Sequence, residues 1–89
     1  MKYYVIHLKG RVVESGNIYE RIPFLERGNE FALDRFFVLK EKLIRRKKTT
    51  KILIIMHADF EAYPGQMEEI YRYLQDLKDA GKELYFFRL

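Results

Sequence analysis

Ile52, Leu53, Ile54, Ile55 and Met56 follow one another without a polar residue between them, inside the segment Lys51–His57. An apolar run this short, bounded by polar residues, predicts a strand covered on both faces, as in a parallel sheet. After the loop Ala58–Gly65 the pattern changes to helical spacing. Over Gly65–Ala80, Met67, Ile70, Tyr71, Leu74 and Leu77 form one stripe, and Glu68, Glu69, Gln75, Asp76 and Asp79 fall mostly outside it. Gly81 supplies a left-handed C-cap, and Glu83–Phe87 resumes as a strand. A strand, a helix and a strand at this spacing make a right-handed parallel crossover.

The first half of the chain predicts less regular structure. Tyr3–Leu8 reads as a strand, with Gly10 permitting a bend before Val12 and Val13. Residues Glu14–Asn29 carry Gly16-Asn17, Pro23 and Gly28-Asn29 and are expected to form a loop. Phe31–Arg46 predicts a helix with Leu33, Phe36, Phe37, the stem of Lys40, Leu43 and Ile44 on its apolar side and Asn29 as N-cap. The expected architecture is therefore α/β: a short, mainly parallel sheet in β-α-β-α-β order with helices packed on it, forming one domain over residues 1–89.

The wording of the second helix adds a resemblance. Glu68, Glu69, Ile70, Tyr71, Leu74, Leu77, Lys78, Ala80, Gly81 and Lys82 stand where matching residues occur in the signal peptide peptidase family. These are Ser/Lys peptidases of crotonase-like, or Clp-protease-like, fold. Tyr4–Leu8 resembles that family's first strand, Glu20–Gly28 a polar connection, and Phe31–Arg46 the helix before the apolar strand. In the family's catalytic repeats the loop after the central strand is glycine-rich, because an oxyanion hole needs several N–H groups aimed at one point. Here the loop Ala58–Gly65 holds one glycine, the carboxylates of Asp59 and Glu61, and Pro64, which has no N–H. The family's nucleophilic serine and its lysine base lie further along the fold than Leu89. The resemblance thus implies a non-catalytic N-terminal segment that gives scaffold and oligomer contacts to a larger serine peptidase acting on membrane-derived signal peptides. It assigns no catalytic, cofactor-binding or metal-binding residue to this chain.

A second resemblance, to the anti-sigma-factor antagonist (STAS) domains, rests on the order of elements and on the segment Leu8–Val12. It implies a protein-binding domain. Many such domains carry a phosphorylatable Ser or Thr at the start of the helix after the central strand, and here Tyr63 is the only hydroxyl between Asp59 and Glu69. A coding sequence continuing well past Leu89 to a later serine and lysine favours the peptidase family; a natural stop near Leu89 favours the antagonist-like domain.

Composition narrows the remaining chemistry. The chain is 48% hydrophobic and 16% aromatic, ample for a core in 89 residues. It has no cysteine, which excludes disulfides and thiolate metal sites. No apolar run approaches the roughly 20 residues needed to span a bilayer. A chain starting naturally at Met1 is expected in the cytoplasm; otherwise an upstream anchor or export signal places it at a membrane or in the periplasm.

Ser15, the only serine, lies beside Gly16 without the second glycine of a nucleophile elbow and reads as a turn residue. His7 and His57 are the two histidines, and His57 stands at the C-terminal end of its strand, where open α/β sheets bind ligands. With Asp59 and Glu61 it offers a weak metal or general-base arrangement, and a solvated strand end is the expected state. A net charge of +4 and the cluster Arg45-Arg46-Lys47-Lys48, with Lys51 nearby, allow weak attraction to phosphate. The cluster's position predicts instead a helix C-terminus whose dipole it complements, with no nucleic-acid partner. Tyr3, Tyr4, Tyr85, Phe86 and Phe87 read as sheet packing, and the strand Glu83–Leu89 as an apolar edge that promotes self-association.

Overall fold

A computed structural model describes residues 3–14, 30–47 and 51–89 of the chain. In order these form β1 (Tyr3–Leu8), β2 (Arg11–Val13), β3 (Glu30–Ala32), α1 (Leu33–Arg45), β4 (Lys51–Met56), α2 (Pro64–Asp79) and β5 (Glu83–Arg88). Strands β1, β4 and β5 make a three-stranded parallel sheet in the order β1-β4-β5. Tyr3 pairs with Lys51 and Lys51 with Glu83 at one end; Leu8 pairs with Met56 and Met56 with Arg88 at the other. Both crossovers step the same way along the sheet, so a common hand puts α1 and α2 on the same face.

Burial agrees with that placement. Ile6, Leu8, Ile52 and Ile54 point to the helices and are buried, together with Leu33, Phe36 and Leu43 of α1 and Ile70, Tyr73, Leu74 and Leu77 of α2. The opposite face of the sheet has no helix on it among the described residues. The expectation that Lys51–His57 is covered on both faces is therefore corrected. Leu53 and Ile55 are half-buried by their neighbours on β1 and β5 alone.

Three further expectations shift. A second sheet, β2 with β3 in parallel, stands between β1 and α1, where the simple β-α-β-α-β order has nothing. Phe31 belongs to β3, not to the helix, because Val12 pairs with it; its ring lies 5.2 Å from that of Phe36 and 5.8 Å from that of Phe60. The α1 N-cap position is Ala32, without a side-chain cap, and the Asp34 amide donates to the Glu14 carbonyl at 3.2 Å. Asn29, expected as that cap, and most of the expected loop lie outside the described residues. On α2 the buried aromatic is Tyr73, whereas Tyr71 is exposed, and on α1 Phe37 is exposed.

The α2–β5 turn follows its sequence closely. Gly81 has φ of 87°, a region costly for any residue with a Cβ. Its amide donates to the Lys78 carbonyl at 3.0 Å and that of Lys82 to the Leu77 carbonyl at 3.1 Å, the bond pair of a Schellman cap. Lys82 then buries its stem, and its ammonium donates to the carbonyl of Arg46 at the end of α1. One turn thus closes both helices.

Candidate functional site at the C-terminal end of the sheet

Gly10, with φ of 72°, turns the chain out of β1 and brings β2 beside the loop that follows β4. The loop is held by its own backbone. The His57 amide donates to the Leu8 carbonyl at 2.9 Å, Phe60 to His57 at 3.1 Å and Glu61 to Gly10 at 2.9 Å. The Tyr63 amide donates to Oε1 of Gln66 at 2.8 Å. Glu61 in turn accepts from the Val12 amide at 2.9 Å, and Arg11 forms a parallel bridge with it. The N–H groups of His57, Phe60, Glu61 and Tyr63 therefore point at protein acceptors, not at a common external point. Oxyanion stabilisation asks for the reverse arrangement.

The same anchoring distributes the sequence candidates. Asp59 accepts from the Gly10 amide at 3.3 Å, and Glu61 contributes backbone bonds; both residues are exposed. His57 does not gather these carboxylates: among the described residues no group of three or more His, Cys, Asp or Glu side chains could hold a metal ion. Its partner is His7. Nδ1 of His7 and Nε2 of His57 lie 2.9 Å apart, with ring centroids at 5.1 Å and planes 43° apart. Sequence reasoning considered each histidine separately, because they stand fifty positions apart; the parallel register that pairs His7 with Ile55 is what brings them together. Ser15 and Lys48 lie outside the described residues.

Elsewhere the ionisable groups serve packing. Lys40, buried on α1, donates to Oδ2 of Asp76 on α2 at 2.8 Å and lies 4.5 Å from the ring centroid of Phe37 and 5.1 Å from that of Tyr73. Burial, reinforced by a 2.7 Å hydrogen bond to Glu69, pushes the Tyr73 phenol from its ordinary 10.0 up to about 12. Of the basic cluster, Arg45 lies in the last turn of α1, beside Lys42, and Arg46 is its C-cap. The cation that reaches a terminal carbonyl there is Lys82, from the Ala80-Gly81-Lys82 turn.

Two apolar surfaces stand out among the described residues. A groove of about 560 Å³ runs between α2 and β5, lined in part by Tyr71, Leu74, Lys78, Leu84 and Phe86. On the far side, the helix-free face carries Tyr3, Val5, Leu53, Ile55, Tyr85 and Phe87, with the Tyr3 and Tyr85 rings edge-to-face at 5.8 Å. Comparison of the chain with family models, curated proteins and solved structures finds no match. Among the described residues, no helix is long and apolar enough to cross a membrane.

Proposed function

We propose that this chain is a non-catalytic association module that pairs with a second copy of itself through β5. The wider reading, a scaffold segment of a signal-peptide-peptidase-like serine protease with a crotonase-like fold, is part of the same proposal. It is supported by the residues from Glu68 to Lys82 that resemble that family. Under it the parent protein, not this chain, cleaves membrane-derived signal peptides, and β-α-β-α-β is the underlying order with β2 and β3 inserted.

The observation that carries the proposal is the outer edge of β5, which no strand among the described residues pairs with. The Leu89 amide donates to Met56 of β4 at 3.0 Å. Because ladder bonds alternate along a strand, Leu84, Phe86 and Arg88 turn their N–H and C=O groups outward. Tyr85, Phe86, Phe87 and Leu89 are all exposed, and no proline or inward charge blunts the edge. A two-fold axis through Phe86 sets Leu84 opposite Arg88 of the copy and Tyr85 opposite its Phe87, an aromatic pair on the helix-free face.

Sedimentation velocity tests this. The parent chain is expected to dimerise, and Phe86→Pro, which removes an outward N–H while leaving the β4 ladder intact, to be monomeric. Tyr85→Lys is expected to weaken the dimer without abolishing the fold. A strictly monomeric parent at high concentration overturns the association reading. Hydrolysis of peptide or ester substrates by the purified chain, lost in Ser15→Ala, overturns the non-catalytic one.

A further inference from the structure

We propose that His7 and His57 form a two-imidazole site for a divalent first-row transition-metal ion, with Cu(II) held most tightly. The ring nitrogens that face each other are already 2.9 Å apart. Two imidazole nitrogens bound to one ion at about 2.0–2.1 Å lie roughly 2.9 Å apart at a right angle and roughly 3.3 Å apart at the tetrahedral angle. The observed spacing is that of the N–H···N bond between the rings, and it lets both nitrogens reach one ion as neighbouring ligands once the rings turn their lone pairs toward it. Cu(II) stands highest in the general order of affinities for nitrogen sites.

Both ligands sit on fixed backbone. His7 is paired with Ile55 inside the β1–β4 ladder, and the His57 amide is bonded to the Leu8 carbonyl. Neither ring is buried, so an ion reaches them from solvent without opening the fold. Without metal, one ring donates its N–H to the other. Binding needs both facing nitrogens as lone-pair donors, so that proton moves to the far nitrogen of its own ring. A neutral pair therefore binds the ion without net proton release. No third histidine or carboxylate converges on the pair among the described residues, so water fills the remaining positions. The site is open and exchangeable, unlike the closed four-ligand site of a structural zinc.

The chain suits a direct test, since it has no other histidine and no cysteine. Cu(II) added to the full chain is expected to give a one-to-one complex whose electron paramagnetic resonance spectrum shows coupling to two imidazole nitrogens. His7→Gln and His57→Gln are each expected to show one imidazole and to bind Cu(II) at least about tenfold more weakly. Loss of a mere supporting hydrogen bond around a metal already costs about 10–100-fold. Ni(II) and Zn(II) are expected to bind the parent more weakly than Cu(II). The spectrum of the unmutated chain counts the ligands even if a variant folds poorly. A spectrum with fewer than two imidazoles, or single variants that bind as tightly as the parent, overturns the site; so does binding through the Met1 amine alone.

Discussion

The two faces of the three-stranded sheet both carry a band of apolar side chains but differ sharply in cover. Toward the helices stand Tyr4, Ile6, Leu8, Ile52, Ile54, Met56, Leu84, Phe86 and Arg88; on the other side stand Tyr3, Val5, His7, Lys51, Leu53, Ile55, Glu83, Tyr85 and Phe87. Ile52 and Ile54 have no exposed surface, whereas Val5 is 42% and Phe87 56% exposed. A solvated face of a sheet ordinarily carries polar residues, and a parallel sheet is ordinarily covered on both sides. The helix-free face therefore combines an apolar band, Val5, Leu53, Ile55 and Phe87 flanked by Tyr3 and Tyr85, with the exposure of a surface, and association is a physical route by which such a band leaves water.

The comparison breaks most directly on core truncation. Ile54→Ala is expected to cost about 2–5 kcal/mol, because the covered face cannot collapse around the cavity. Phe87→Ala, on the open face, should cost less than about 1 kcal/mol in the monomeric Phe86→Pro background, since little packing is lost there. Denaturant melts of the two variants decide the point, and equal losses would mean that the open face is packed after all.

A smaller effect is expected where the helices meet. Asp76→Ala leaves the buried Lys40 ammonium with the longer 3.7 Å contact to Glu41 and should cost about 1–3 kcal/mol. Lys40→Met should cost less, because Asp76 is half-exposed and regains water while the methionine keeps the stem packing. The reverse order in urea titrations would show that the carboxylate, not the ammonium, depends on the pair.

Smallest is an alkaline difference between two tyrosines. The Tyr73 phenol, on the covered side, is raised first by burial and second by its bond to Glu69. The Tyr85 phenol, on the open side, is raised first by its bond to Glu83 at 2.8 Å. A phenol with a raised folded-state pKa stays protonated after the unfolded chain has ionised. The Tyr73 contribution is thus complete below pH 10 and is lost as the pH rises toward 12. Tyr73→Phe should flatten that loss in pH-dependent melts more than Tyr85→Phe does. The opposite ranking would remove burial as the leading cause.

How far these features were legible follows from geometry. The stripe of α2 was readable because Met67, Ile70, Leu74 and Leu77 recur at helical spacing. Its border was not: at 100° per residue, Tyr71 and Tyr73 flank that stripe by about 80° on either side. Phe36 and Phe37 of α1 approach on the Tyr73 side, with ring centroids 5.6 Å away in each case, while Tyr71 is left on the groove beside β5. The β2–β3 pair escaped because three-residue strands carry no measurable period. The two histidines escaped because nothing in a sequence links His7 to His57 except a register.

By itself the sequence determined the local structure that short-range sterics and periodicity dictate. These are strand β4, the helix α2 over nearly its full length, and the cap at Gly81, where a positive φ excludes most side chains. It also determined that two sets of apolar side chains would alternate on β1 and β4. Which set meets the helices, which aromatic of α2 is buried, and which side chains meet across the sheet were decided only by tertiary structure. Alternation tells two faces apart but does not say on which side the crossovers run. A contact such as His7–His57 or Lys40–Asp76 depends on chain segments whose separation in sequence carries no information about their separation in space.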